Sequence, residues 1–172
     1  MYSVGDTVLY GSQGVCKIVG TDVKKIGGSK VEYFVLKPIY DENSTLFVPS
    51  SNNNLTSKMR SVLSAEEIYE LIKAMPDEDT IWIDDENERK QKYQKIISQG
   101  DRKNLVQLIK TLHLHKLSQQ GKGRKLHQCD EVFLKQAEKL LYDEFALVLK
   151  IKPDEVLPFI MEQIEVEEKD TP

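Results

Sequence analysis

The sequence predicts an α+β chain of two modules, a small β-barrel followed by an all-helical domain of about four to five helices. Three observations carry this. Residues 1–62 are rich in Val, Ile, Thr, Tyr and Phe, broken by clusters of turn residues. From residue 64 the apolar spacing lengthens from alternation to a helical repeat. Charge of one sign also collects in blocks along the second part.

Strands are expected at "DTVLY", "VCKIVGTDV", "KVEYFVLKPI" and "STLFVP". Alternation is clearest where Val31, Tyr33 and Val35 oppose Glu32, Phe34 and Leu36. Both faces include apolar residues, which predicts a curved sheet with much of each face covered. The separators "GSQG", "GGSK" and "DENS" supply glycines for positive φ and Asp/Asn for local turns. Pro38 and Pro49 belong at strand ends or edges, because proline donates nothing to a ladder. Four or five short strands in about 60 residues suggest a barrel of the SH3 or Tudor type.

Ser64 and Glu67 form a capping box for a helix whose stripe is Ile68, Leu71, Ile72 and Met75. Pro76 and "DEDT" end it. A second helix starts between 80 and 87, turns Tyr93, Ile96 and Ile97 inward, and stops at Gly100. Asp101 caps a third, with Leu105, Leu108, Ile109 and Leu112 inward. After the loop "GKGRK", a long helix over about 128–150 buries Val132, Phe133, Ala137, Leu140, Leu141, Phe145 and Leu149. Pro153 suits the first turn of a last helix, and Pro158 should start or kink it. The expected divisions are 1–62, a capped helix and acidic connector over 63–79, a helical domain over 80–167, and a frayed tail over 168–172.

The net charge of −4 hides this segregation. Residues 61–87 carry 9 acidic and 1 basic residue, whereas 88–152 carry 15 basic and 7 acidic. Local potential decides what a face attracts within a Debye length of about 8–10 Å, so the basic block can meet a polyanion despite an acidic pI. Such a block also arises as solvated helix faces. No run reaches the roughly 20 apolar residues of a membrane span, and the N-terminus lacks the pattern of a secretory signal. Two distant cysteines suggest no disulfide framework. A cytoplasmic chain is expected.

Enzyme chemistry finds no support. There is no phosphate-cradling glycine motif and no nucleophile elbow. Cys16 sits in an apolar strand with no nearby histidine, and reads as a small buried hydrophobe. His113-x-His115 cannot chelate from a helix, because i and i+2 face opposite ways. His127-x-Cys129 lies near a helix start and escapes part of that objection, but no metal site or other cofactor is expected.

"VGDTVLYGSQGVCKIVG", "KIGGSKVEYFVLKP" and "TLFVP" together closely resemble the N-terminal module of the CarD/CdnL family of bacterial transcription factors. A similar module occurs in transcription-repair coupling factors. "IISQGD", "LVQLIKTL" and "LKQAEKLLYDEFALVL" look like the family's C-terminal domain. The resemblance spans about residues 1–150. It implies a non-enzymatic regulator whose Tudor-like module binds the RNA polymerase β subunit. The helical domain then meets promoter DNA, without sequence reading, at the upstream edge of the bubble, stabilising the open complex. The alternative is a polymerase-docked adaptor whose helical domain recruits another protein.

Carried over on this resemblance, the polymerase surface comprises Lys24, Thr45, Phe47 and Pro49. Some relatives have arginine at position 47, so Phe47 would make an apolar contact instead. Phe47 could equally belong to the barrel core. The DNA-facing candidates are Trp82, Arg89, Lys90, Lys92, Lys122, Arg124, Lys125, Lys135 and Lys139. Arg89 has a competing partner in Asp85, one turn back. In the family a tryptophan wedges into the minor groove, but counting back from "GD" places that position near Glu86, one turn after Trp82. Acids flank Trp82 and count for packing between helices, but the preferred reading is a wedge that takes the role from a shifted helix start. A monomer is expected, with strand exchange at an exposed edge as its alternative.

Overall fold

The structure, a computed structural model, describes residues 2–41 and 43–170, with side chains throughout except at 53 and 165–170. The chain divides into two compact units, Met1–Val62 and Leu63–Pro172.

The first unit is a five-stranded antiparallel sheet: β1 (Thr7–Tyr10), β2 (Val15–Ile26), β3 (Ser29–Pro38), β4 (Leu46–Pro49) and β5 (Met59–Ser61). A short helix, α1 (Asn53–Thr56), precedes β5. The order is β4-β3-β2-β1-β5, so β4 and β5 are edges. The expected small SH3/Tudor-like β module is present, as a sheet that stays open rather than closing on itself. Its edge strands hold only 4 and 3 residues and do not pair with each other. The core lies on one face, around Val8, Cys16, Ile18, Leu36, Val48 and Met59. Burial pushes the Cys16 thiol up to about 11, as befits an inert core group.

One strand, β2, is longer than expected, running to Ile26 rather than Val23. A register shift between Ile18 and Gly20 bends β2, and beyond it β2 and β3 continue as a largely exposed ribbon. The expectation that both faces are covered fails there: Val23 and Ile26 are exposed, and Val31, Tyr33 and Val35 are half-buried. The ribbon closes through Gly27 (φ 58°) and Gly28 (φ 82°), the two positive φ values that a tight hairpin of this twist demands. A Cβ at Gly28 would meet no atom within 4 Å. Gly28→Ala should therefore cost backbone strain alone, about 1–2 kcal/mol, read as a lower urea midpoint without loss of β signal.

The second unit comprises α2 (Ala65–Ala74), α3 (Glu86–Gln99), α4 (Arg102–Gly121), α5 (Gln128–Leu149) and α6 (Pro153–Asp170). Local chemistry sets their starts. Ser64 and Glu67 make the capping box in both directions, and Asp85 and Asp101 accept N–H groups at the starts of α3 and α4. Gly100 ends α3 in the left-handed conformation. The capped helix expected ahead of the acidic connector packs into this core: Ile68 and Ile72 bury with Tyr93, Leu108, Leu112 and Phe145. Each such side chain contributes roughly 1.5–3 kcal/mol. Buried Glu144 accepts Leu63 N–H at 2.9 Å and holds the Arg102 guanidinium at 2.6 and 2.8 Å, tying the start of this unit to α4 and α5.

Val132 is exposed, contrary to expectation, because Phe133 and Ala137 define the inward stripe and Val132 lies off it. Pro158 lies inside α6, which Pro153 begins. The helical backbone runs to Asp170, while 171–172, the end of the expected frayed tail, lie outside the described residues. Among the described residues no helix is long and apolar enough to cross a membrane.

Candidate functional site

Each unit presents one candidate surface. On the sheet it is the β4 edge. Ser50 N–H donates to the Glu32 carbonyl at 3.0 Å, and Val48 pairs with Phe34. Strand alternation then turns the main-chain groups of Leu46 and Val48 toward β3, and those of Thr45, Phe47 and Pro49 toward the open edge. Pro49 thus lacks its N–H where no ladder needs it. Phe47 is 44% exposed. Its ring lies under Lys24 Nζ at 3.9 Å and edge-on to Tyr33 at 6.4 Å. Register explains this meeting: Lys24 pairs with Val31, Tyr33 with Pro49 and Val35 with Phe47, which puts all three side chains on the non-core face. Tyr33, unassigned from the sequence, completes the patch.

On the helical unit, Trp82 precedes α3 and is half-buried. Its ring stacks on His115 of α4, with centroids 3.7 Å apart and planes at 17°. Arg89 Cζ lies 4.5 Å from the same ring, and the indole N–H donates to Asp84 at 2.9 Å. The backbone around it is held as well. Ile81 N–H donates to Thr111 Oγ1 at 2.9 Å, and Tyr93 O–H donates to the Ile81 carbonyl at 3.1 Å. Burial pushes the Tyr93 phenol up to about 12, so this donor keeps its proton at neutral pH. Trp82 is therefore held by α3 and α4 while part of its surface faces solvent.

Arg89 requires a correction. It is 5% exposed, and its guanidinium forks onto Asp130 of α5 at 2.9 and 3.2 Å. Its Nη1 donates to the Ile83 and Asp84 carbonyls at 3.0 and 3.3 Å. Burial disfavours its charge, but the bonds and charge of Asp130 outweigh that and raise its pKa. Buried, and with four of its five N–H donors committed, Arg89 is poorly placed to meet a phosphate. Its partner is Asp130, and not Asp85, which caps α3 instead.

The other cations are exposed. Lys90 pairs with Glu86 at 3.1 Å and Lys139 with Asp143 at 2.8 Å, each one turn apart. Lys92, Lys122, Arg124, Lys125 and Lys135 make no ion pair among the described residues. Lys122, Arg124 and Lys125 share the α4–α5 loop. Lys135 and Lys139 line a depression with Pro153, Asp154 and Leu157 of α6. Phe133, which meets Tyr93 of α3 edge-on, lies on a different side of α5. The candidate cations thus come from α3 (Lys90, Lys92), the α4–α5 loop and α5.

One cluster adds an unanticipated residue, Glu86, to the His127–Cys129 pair weighed from the sequence. Glu86 of α3, His127 and Cys129 bring three donor atoms within 4.8 Å of one another. His127 is the N-cap of α5 and non-helical (φ −57°, ψ 141°), so the i, i+2 objection does not reach it. Its Nδ1 lies 3.0 Å from Cys129 Sγ. Hydrogen bonding and charge from Lys90, then the His127 charge, lower the pKa of the exposed Glu86. His113 and His115 do part company: His113 lies 2.9 Å from Glu138 in a geometry poor for hydrogen bonding, and His115 meets Trp82 and Gln119.

Comparison with known proteins supplies the family. Residues 2–63 match the CarD-like/TRCF RID domain, and residues 67–161 match the CarD C-terminal domain. A comparison with curated proteins yields no match. The two domains follow one another in the order expected and meet near the division between the two structural units. The chain therefore belongs to the CarD/CdnL family of non-enzymatic, RNA polymerase-interacting transcription regulators.

Proposed function

We propose that this regulator docks on the RNA polymerase β subunit through the β4 edge and stabilises the promoter open complex through its helical unit. The observation that carries this reading is the open edge at Thr45, Phe47 and Pro49, beside the Lys24–Phe47–Tyr33 patch. A partner strand can extend such a sheet by main-chain pairing, with Phe47 supplying an apolar anchor. The exposed cations Lys92, Lys122, Arg124, Lys125 and Lys135 suit phosphate contacts that carry no sequence information. Lys90 and Lys139 can join them by releasing weak surface pairs. Tethering to polymerase raises the effective DNA concentration, so affinity for free DNA can be low. On this reading the protein works in the cytoplasm, at the nucleoid through polymerase.

Trp82 fits a wedge that is fixed in advance. His115, Arg89 and Asp84 restrict the indole, so little side-chain freedom remains to be lost on binding. An apolar surface at a partly unstacked step slows bubble collapse if the contact exists only in the opened state. Trp82→Ala should shorten open-complex lifetime about 5- to 30-fold, equivalent to roughly 1–2 kcal/mol of apolar contact, while leaving polymerase binding unchanged. Lifetimes on a promoter challenged with competitor DNA measure this, with circular dichroism as the check on folding.

A second reading has its own support. A cavity of about 510 Å³ opens between α4 and α6, lined by Met75, Ile109, Leu117, Leu157, Ile160 and Met161. Such an apolar groove suits a protein recruited by a polymerase-docked adaptor. Wild-type protein that binds polymerase but leaves the open-complex lifetime unchanged would favour that reading.

A further inference from the structure

We propose that Glu86, His127 and Cys129 form a binding site for a thiophilic divalent cation of the zinc type. The three donors come from two places in the chain and include a thiol, an imidazole and a carboxylate, a combination that suits zinc and does not suit magnesium or calcium. Ligand atoms on a tetrahedral zinc lie about 3.3–3.6 Å apart, given bonds of about 2.0–2.3 Å. In the structure His127 Nδ1 and Cys129 Sγ are 3.0 Å apart, and Glu86 Oε1 is 3.9 Å from Cys129 Sγ. The second ring nitrogen, Nε2, is 3.6 Å from Glu86 Oε1. The three donors lie within 4.8 Å of one another, so a swing of the exposed Glu86 carboxylate by up to about 1.5 Å brings the set onto one ion.

The chemistry of each donor fits. The Nδ1 lone pair points toward Cys129, where it lies 3.0 Å from Sγ and accepts a long bond of 3.4 Å from the Cys129 backbone N–H. Coordination through Nδ1 replaces that bond and the Cys129 thiol proton, which passes to solvent. Thiolate, carboxylate and neutral imidazole then balance the two positive charges. The α5 N-terminus favours the thiolate. Glu86 gives up its pairing with Lys90, a surface contact of little worth. The donors are half-exposed to exposed, so an ion reaches them without opening the fold and a water can take the fourth position. Cys16, the other thiol, is buried in the sheet unit and cannot contribute.

The site would join the start of α3 to the start of α5, where Arg89 and Asp130 already do so. Cobalt(II) is the informative probe, because a thiolate ligand adds a near-ultraviolet charge-transfer band. Untagged, reduced full-length protein should take up one equivalent of Co²⁺ with that band, and Zn²⁺ should displace it. Zn²⁺ should also raise the unfolding temperature, whereas Mg²⁺ should not. Cys129→Ser should abolish the band, and Cys16→Ser should keep it. Glu86→Gln and His127→Asn should each weaken Zn²⁺ binding about tenfold or more, and the asparagine preserves the helix cap. The proposal is overturned if wild type shows no thiolate band, or if Cys129→Ser binds Zn²⁺ as tightly as wild type.

Discussion

Replacing Arg89 by methionine is expected to destabilise the helical unit by about 3–5 kcal/mol. The substitution leaves Asp130, 1% exposed, as an uncompensated buried carboxylate. It also frees the Ile83 and Asp84 carbonyls, which hold the segment carrying Trp82. Two companion variants separate charge from packing. Arg89→Lys keeps the charge but loses the fork that reaches Asp130 and both carbonyls, so it should fall between wild type and methionine. Pairing Arg89→Met with Asp130→Leu removes both charges and should recover more than half of the loss, because an apolar replacement of a buried pair is often neutral. Trp82, the single tryptophan, touches Arg89 and reports on this unit by fluorescence during urea unfolding. A methionine variant as stable as wild type that fails in open-complex assays would restore Arg89 to the DNA-facing set.

Arg89 also shows where sequence reading stops. Features encoded within a few residues were legible: the Ser64–Glu67 box, the Asp101 cap, the Gly100 stop and the glycine turn at 27–28. Each depends on backbone groups three or four residues away. Arg89 was legible only as a cation on the side of Tyr93. Its partner is 41 residues distant, and nothing in local spacing chooses Asp130 over Asp85. Glu86 is a similar case: on α3 it reads as an ordinary acidic first-turn residue, and only the packing of α3 on α5 brings it to His127 and Cys129. The open sheet was hidden because alternation reports which faces are apolar, and says nothing of whether two edges meet. The strand at β4 was legible as "STLFVP". The outward direction of Thr45, Phe47 and Pro49 follows only from the register with β3.

That register makes position 47 the sharpest test of docking. Phe47→Ala removes the apolar anchor, and a buried aromatic at the centre of an interface is worth about 2 kcal/mol, so polymerase affinity should fall about 30-fold. Phe47→Pro removes the same ring and also the outward N–H. Proline fits there without harming the sheet, because an edge strand tolerates it where the N–H faces solvent. If a β-subunit strand pairs with β4, the lost hydrogen bond costs about 1 kcal/mol more, and proline should bind roughly fivefold worse than alanine. Both variants should remain folded, since neither removes a ladder bond and the lost Lys24 contact is worth under about 1 kcal/mol. Titration against polymerase core enzyme measures the two affinities, and thermal unfolding checks the sheet. Equal affinities for alanine and proline would mean that the partner uses the Phe47 face without extending the sheet. Unfolding in both variants would place the ring in the structural core, against the exposure of its outer face.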